Sequence, residues 1–155
     1  MNLVAKKQQG FTLTEILIAI AIVAIMSTVV ALNFLGETDK ARLTRVKGDL
    51  TTLESALQGF YNDNGFFPTT DQGLEALVSK PTNEPVPRNY RKGGYLGSGG
   101  LIKDPWQSPY QYISPGQNGE FDLFSMGADG RPGGEGKFQD IGTWNMNQVS
   151  FNEEN

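Results

Sequence analysis

The feature that most constrains this chain is a long run without a charge. From Ile16 the sequence reads ILIAIAIVAIMSTVVALNFL to Leu35, and only Ser27, Thr28 and Asn33 in it are polar. In a helix rising 1.5 Å per residue, about twenty residues cover roughly 30 Å, the thickness of a bilayer core. A helix that is apolar all round needs lipid or protein on every side. Lys6 and Lys7 precede the run, and Glu37 and Asp39 follow it. By the positive-inside rule the N-terminus stays cytoplasmic and the remainder is exported.

Three readings of this segment compete. It is an uncleaved anchor; or a secretory signal removed after its apolar region, with Val29-Val30-Ala31 as a passable small-residue site; or a helix that stays in the mature protein after a short basic leader is cut at Gly10. Glu15 bears on the choice. A carboxylate in an apolar helix costs up to about 2.5–3.5 kcal/mol if drawn to the bilayer centre, so it needs a partner. A cut after Gly10 frees the amine of Phe11, four residues from Glu15. With helices packed side by side, Glu15 of one chain meets the Phe11 ammonium of a neighbour. That pairing favours the third reading.

The chain has 155 residues, no Cys and no His. This excludes disulfides, Cys-ligated metals and any Ser–His–Asp triad. The net charge of −4 offers no basis for nucleic-acid binding. Without the leader's Lys6 and Lys7, 11 basic residues face 17 acidic ones, and the charge moves to −6.

Beyond Gly36 the hydrophobic period changes. Leu43, Val46, Leu50, Leu53, Leu57 and Phe60 recur at spacings of three and four, one face of a helix, while Lys40, Arg42, Arg45, Lys47, Asp49 and Glu54 form a solvated face. Asp63-Asn64-Gly65 and Pro68 stop it. One helix over about residues 12–63, roughly 75 Å long, is expected. A short second helix is expected over Thr70–Val78, with Thr70 or Asp71 as N-cap. An extended loop follows through Pro81, Pro85 and Pro87, then a flexible Gly93–Gly100 stretch. Strands are expected at Gln111–Ile113 and Glu120–Ser125, with Phe121, Leu123 and Ser125 on the buried side, and a weaker one at Ile141–Trp144. Together these make an α+β unit, a small antiparallel sheet laid on the apolar stripe of the long helix. Trp106 and Trp144 read as core or loop anchors. Asp104, Glu120 and Asp122 are an acidic group without a pocket, a poor basis for catalysis. The final residues, Asn152–Asn155, read as a frayed tail.

The stretch SMGADGRPGGEGKFQDI, from Ser125 to Ile141, holds Asp129, Glu135 and Asp140 among many glycines. Calcium takes six to eight oxygens from carboxylates and backbone carbonyls, and glycines let carbonyls turn inward. By composition the loop remains either an ordinary turn or a hard-cation site; it lacks the spacing of an EF-hand.

The segment Gly10-Phe11-Thr12-Leu13-Thr14-Glu15 ahead of an apolar helix resembles the N-terminus of type IV pilins and type II secretion pseudopilins. Further blocks narrow the resemblance to the major, G-type pseudopilins: Pro68-Thr69-Thr70-Asp71-Gln72-Gly73-Leu74-Glu75-Ala76-Leu77, Arg88-Asn89-Tyr90, Gly94-Tyr95-Leu96, Asp104-Pro105-Trp106, Asp122-Leu123-Phe124-Ser125 and Gly127-Ala128-Asp129-Gly130. The resemblance covers Gly10 to about Asn145. It departs at Leu32, where many relatives carry Pro, at Gln107-Ser108, where Gly-Asn is usual, and at Glu135–Gln139, which interrupts a compact acidic run.

The resemblance implies a type IV pilin-like fold in three parts: a leader over 1–10, a transmembrane or filament-core helix over 11–36, and a periplasmic domain over 37–155. It implies cleavage between Gly10 and Phe11 by a prepilin peptidase, N-methylation of Phe11, and subunit docking through Glu15. One Ca²⁺ is implied, with Asp129, Asp140 and backbone carbonyls near Met126 and Gly134 as ligands. The implied function is that of a structural subunit, not an enzyme: a homo-oligomeric periplasmic pseudopilus that drives folded proteins across the outer membrane. Its implied partners are minor pseudopilins, an inner-membrane assembly platform and a cytoplasmic ATPase, since the chain has no P-loop. A type IV pilus subunit and a membrane-anchored calcium-binding module are the alternatives.

Overall fold

The computed structural model describes residues 11–151, with the backbone alone for residues 27–37 and Ser98. Gly10, Lys6, Lys7 and the tail 152–155 lie outside the described residues. The chain divides into two compact units, Met1–Glu37 and Thr38–Asn155.

Helix α1 spans Leu13–Asn64. From Ile16 to Met26 its side chains are apolar on all faces. Ile16, Leu17, Ile18, Ile20, Ile22, Val23, Ile25 and Met26 are all exposed. Among the described residues no helix is long and apolar enough to cross a membrane; the described side chains of the apolar run end at Met26.

In the second unit the expected stripe is the core. Val46, Leu50, Leu53, Leu57 and Phe60 are fully buried, and Leu43 and Ala56 nearly so. The helix ends where Asp63-Asn64-Gly65 predicts. The Gly65 amide donates to the Tyr61 carbonyl at 2.7 Å, and Gly65 sits at φ +80°, the left-handed turn that closes a helix and favours glycine.

The second helix is shorter than the sequence predicts, a single 3₁₀ turn over Leu74–Leu77. Neither Thr70 nor Asp71 caps it; Gly73 stands at its start with no side-chain cap. Thr70 is engaged elsewhere: its Oγ1 donates to the Ser114 carbonyl and accepts from the Ser114 amide. The buried Gln72 donates through Nε2 to the carbonyls of Asn83 and Pro85, which fastens the proline loop down. The Gly93–Gly100 stretch is tied in as well. The Tyr95 amide donates to the Leu77 carbonyl at 2.7 Å, and a Cβ on Gly94 would stand 2.5 Å from that same oxygen.

Three antiparallel strands, β1 (Gln111–Ile113), β2 (Asp122–Ser125) and β3 (Ile141–Gly142), form a sheet in the order β1-β2-β3. Tyr112 pairs with Leu123, and Ser125 with Ile141. Tyr112, Leu123 and Ile141 join the helix stripe in one hydrophobic cluster. The expected alternation in β2 fails at Asp122, which is buried along with Leu123 and Ser125. Its carboxylate accepts the amides of Gln117 and Asn118, so burial costs it no hydrogen bond. The third strand stops at Gly142 instead of Trp144. The Trp144 ring lies against the α-carbon of Gly142, where a Cβ would collide with it.

Candidate functional site

Two places hold the residues singled out in the sequence: the start of α1 and the glycine-rich loop between β2 and β3.

At the helix start, Thr12 and Glu15 form a reciprocal cap. The Thr12 amide and the Thr12 Oγ1 both donate to Glu15 Oε2 at 2.8 Å. The Glu15 amide donates back to Thr12 Oγ1 at 3.3 Å. This is a capping box, which satisfies donors that a helix N-terminus leaves unpaired. The T-x-x-E spacing is the signal for it, a second role for Glu15 beside that of partner for the Phe11 amine of another chain. Within one chain Glu15 therefore already has a partner. Phe11 is the most exposed of the described large hydrophobic residues, at 85%.

The loop is organised from a distance by Asp104, a residue the sequence offers as part of an idle acidic group and of the Asp104-Pro105-Trp106 block. Asp104 is fully buried. Its Oδ1 accepts the amides of Trp106 at 3.0 Å and Ser108 at 2.8 Å, shaping the turn that follows it. Its Oδ2 accepts from Ser125 Oγ at 2.7 Å, and Ser125 Oγ in turn accepts the Gly127 amide. The chain Asp104–Ser125–Gly127 thus fixes where the loop leaves β2. In the same turn Gln107 has φ +71°, in the left-handed region.

The loop itself carries two 3₁₀ turns, Gly127–Asp129 and Gly136–Phe138, packed on each other. The contact is close because Gly127, at φ +65°, has no side chain: a Cβ there would lie 2.8 Å from the Gln139 carbonyl oxygen and 3.0 Å from that of Lys137. Gly134 is likewise pressed against the Phe138 carbonyl.

The candidate ligands are placed unequally. Asp140 sits at the base of the loop. Its Oδ2 accepts the Gly133 amide at 2.9 Å, and its amide donates to the Gly133 carbonyl at 3.1 Å. Its Oδ1 is buried with no hydrogen-bond partner. Asp129 is exposed, and its Oδ1 accepts the Arg131 amide at 3.1 Å. Among the described residues no group of three or more acidic side chains could hold a metal ion. Of the candidate ligands, Asp140 keeps one buried carboxylate oxygen without a hydrogen bond, and oxygen is the donor a hard cation takes.

Residues 5–31 match the prokaryotic N-terminal methylation motif, and residues 33–144 match the family described as type II secretion system, protein G. The chain belongs to this protein G family of the type II secretion system. It is 52% identical to the type II secretion system core protein G of Vibrio cholerae over 141 residues, 91% of this chain and 94% of that protein. It is 46% identical to the corresponding core protein G of Pseudomonas aeruginosa, over 90% of this chain and 96% of that protein. A crystal structure of the major pseudopilin from enterohaemorrhagic Escherichia coli superposes with a TM-score of 0.65 at 49% identity, covering 72% of this chain and 90% of that one.

Proposed function

We propose that this chain is the repeating structural subunit of a periplasmic pseudopilus, made as a precursor and held in the inner membrane until it assembles. The observation that carries this reading is the division of labour along α1. From Leu43 to Phe60 one stripe is buried under the sheet; from Phe11 to Met26 the apolar side chains are exposed in the single chain. An apolar surface of that extent needs a partner, which is lipid before assembly and the helices of other copies after it.

A cut between Gly10 and Phe11 leaves Phe11 as the first residue, its amine methylated, one residue ahead of the Thr12–Glu15 box. In the filament Glu15 leaves its own cap for the Phe11 amine of a neighbour. The minor pseudopilins, the assembly platform and the ATPase supply initiation and work. No catalytic role is assigned: Asp104 and Asp122 hold backbone amides of their own turns.

For the loop, the buried unpartnered Oδ1 of Asp140 supports a Ca²⁺ site. Asp140 and Asp129 would hold the ion with carbonyls of the Met126 and Gly134 segments. The ion would supply the cohesion that a loop without an apolar core lacks.

The reading is tested by replacing the gene with its Glu15→Ala variant, then measuring protein secretion and imaging filaments. Membrane-inserted protein without filaments or secretion is expected. Normal filaments and secretion would overturn the docking role of Glu15.

A further inference from the structure

Asp104 makes one more hydrogen bond than its own turn requires. Its Oδ1 takes the amides of Trp106 and Ser108, and the Asp104 backbone closes the same turn again, its amide donating to the Ser108 carbonyl and its carbonyl accepting the Gln107 amide. The remaining bond, at Oδ2, reaches 21 residues along the chain to Ser125, the last residue of β2. Both residues are fully buried.

The direction of that bond fixes what Ser125 does next. Its hydroxyl donates to Asp104 Oδ2 at 2.7 Å, and a carboxylate has no proton to offer back. The hydroxyl oxygen is left to accept, and it takes the Gly127 amide at 3.2 Å. The Gly127 N–H shares one planar trans peptide with the Met126 carbonyl, and the two point in opposite directions. Drawing the amide onto Ser125 therefore turns the Met126 carbonyl away from the buried pair.

Strand register brings this peptide to the level of Asp140. Ser125 pairs with Ile141, so one step further along the two chains stand Met126 on one side and Asp140 on the other. The Oδ1 of Asp140 is buried without a hydrogen-bond partner. Gly127 is pressed against the backbone of Lys137 to Gln139, the segment that leads into Asp140.

We propose that Asp104 is a positioning residue for the Ca²⁺ site. Through Ser125 it holds the Met126 carbonyl in one direction at the end of the sheet where Asp140 stands, and so sets the loop's affinity without touching the ion. The inference rests on the reading of the loop as a Ca²⁺ site. Removing a group that orients a metal ligand typically weakens binding by about 10–100-fold.

Calorimetric titration of the full chain with Ca²⁺, in detergent and below its melting temperature, tests the role. Ser125→Ala removes the relay and leaves Asp104 its two amides; it should weaken Ca²⁺ binding by about tenfold. Asp104→Asn keeps one oxygen for those amides and loses the second acceptor, and should weaken binding by a similar factor. Tyr112→Phe loses a buried hydrogen bond outside the relay, to the Pro68 carbonyl. It should lower the melting temperature and leave Ca²⁺ affinity unchanged. Unaltered affinity in either relay variant, measured on folded protein, would overturn the positioning role. An equal loss in Tyr112→Phe would also overturn it, because affinity would then follow stability alone. No binding by the unaltered chain would overturn the Ca²⁺ reading itself, and the positioning role with it.

Discussion

Arg91 grips Asp63 through two hydrogen bonds, Nε to Oδ2 at 2.6 Å and Nη2 to Oδ1 at 3.2 Å, while its guanidinium lies 4.9 Å from the centre of the Tyr95 ring. The pair ties the loop after the proline segment to the last turn of α1. The Arg91 hydrogen bond holds the Asp63 carboxyl below its usual pKa. A carboxylate depressed in the folded state stabilises the fold above its unfolded value of about 4, and that contribution disappears as pH falls through the folded value. Melting temperature should therefore drop on acidification below about pH 4, and Asp63→Asn should flatten part of that drop. An unchanged pH profile in the variant would show that the pair contributes nothing.

Asp122 is the more buried carboxylate. Burial acts to raise its pKa, and the amides of Gln117 and Asn118 outweigh that and hold it low. Asp122→Ala strands both amides and should cost about 1–3 kcal/mol, read as a shift in the denaturant midpoint. It should also remove stability mainly above pH 4, by the same sign argument.

At the alkaline end Tyr112 acts in the opposite sense. Burial pushes its hydroxyl up to about 12, and the hydroxyl donates to the Pro68 carbonyl at 2.8 Å. A raised folded pKa means that the stabilisation is complete below the unfolded value of about 10 and is lost as pH climbs to about 12. Melting curves should fall across that window, and less so for Tyr112→Phe, which starts from a lower stability at neutral pH.

Gln107 occupies backbone geometry that glycine adopts freely. A side chain in the left-handed region costs roughly 1–2 kcal/mol, partly offset by the entropy glycine loses on folding. Gln107→Gly should raise the melting temperature by a few degrees. A lower value would mean that the Gln107 side chain makes a compensating contact.

Adding Ca²⁺ should raise the melting temperature of the chain, and Asp140→Asn should abolish the rise while leaving the metal-free melting curve nearly unchanged. Retention of the rise in Asp140→Asn would remove that carboxylate from the site.

Helix capping and subunit docking are separable at the start of α1. Thr12→Ala removes the two bonds of the Thr12 hydroxyl and keeps both the residue-12 amide and the Glu15 carboxylate. If docking is the role of Glu15, Thr12→Ala should secrete normally where Glu15→Ala does not. Equal defects would assign Glu15 to the cap alone.

The helix, its stripe and its stop were legible because they depend on local periodicity and on Asp63-Asn64-Gly65. So were the strand centres at Tyr112 and Leu123. The second helix was overestimated because Thr70 looks like an N-cap in sequence, while the fold turns its hydroxyl towards Ser114, far along the chain. The roles of Asp104 and Asp122 were invisible for a related reason. A carboxylate that accepts backbone amides leaves no pattern distinguishing it from one facing solvent. The candidate loop was legible as a loop, but only the folded chain shows that Asp140 keeps a buried oxygen free while one Asp129 oxygen is engaged by its own turn.

The Thr12–Glu15 box has a consequence for how a filament of such chains behaves. A carboxylate already hydrogen-bonded at home gives those bonds up on moving to a neighbour's amine, so docking gains only the difference between the two sets. Such a trade can recognise the right position without driving the subunit into it. Growth would then draw its force from outside the chain, and the last subunit added could be let go again without a large barrier. The helix start would work as a latch, which decides where a subunit stops, and the motor lies elsewhere.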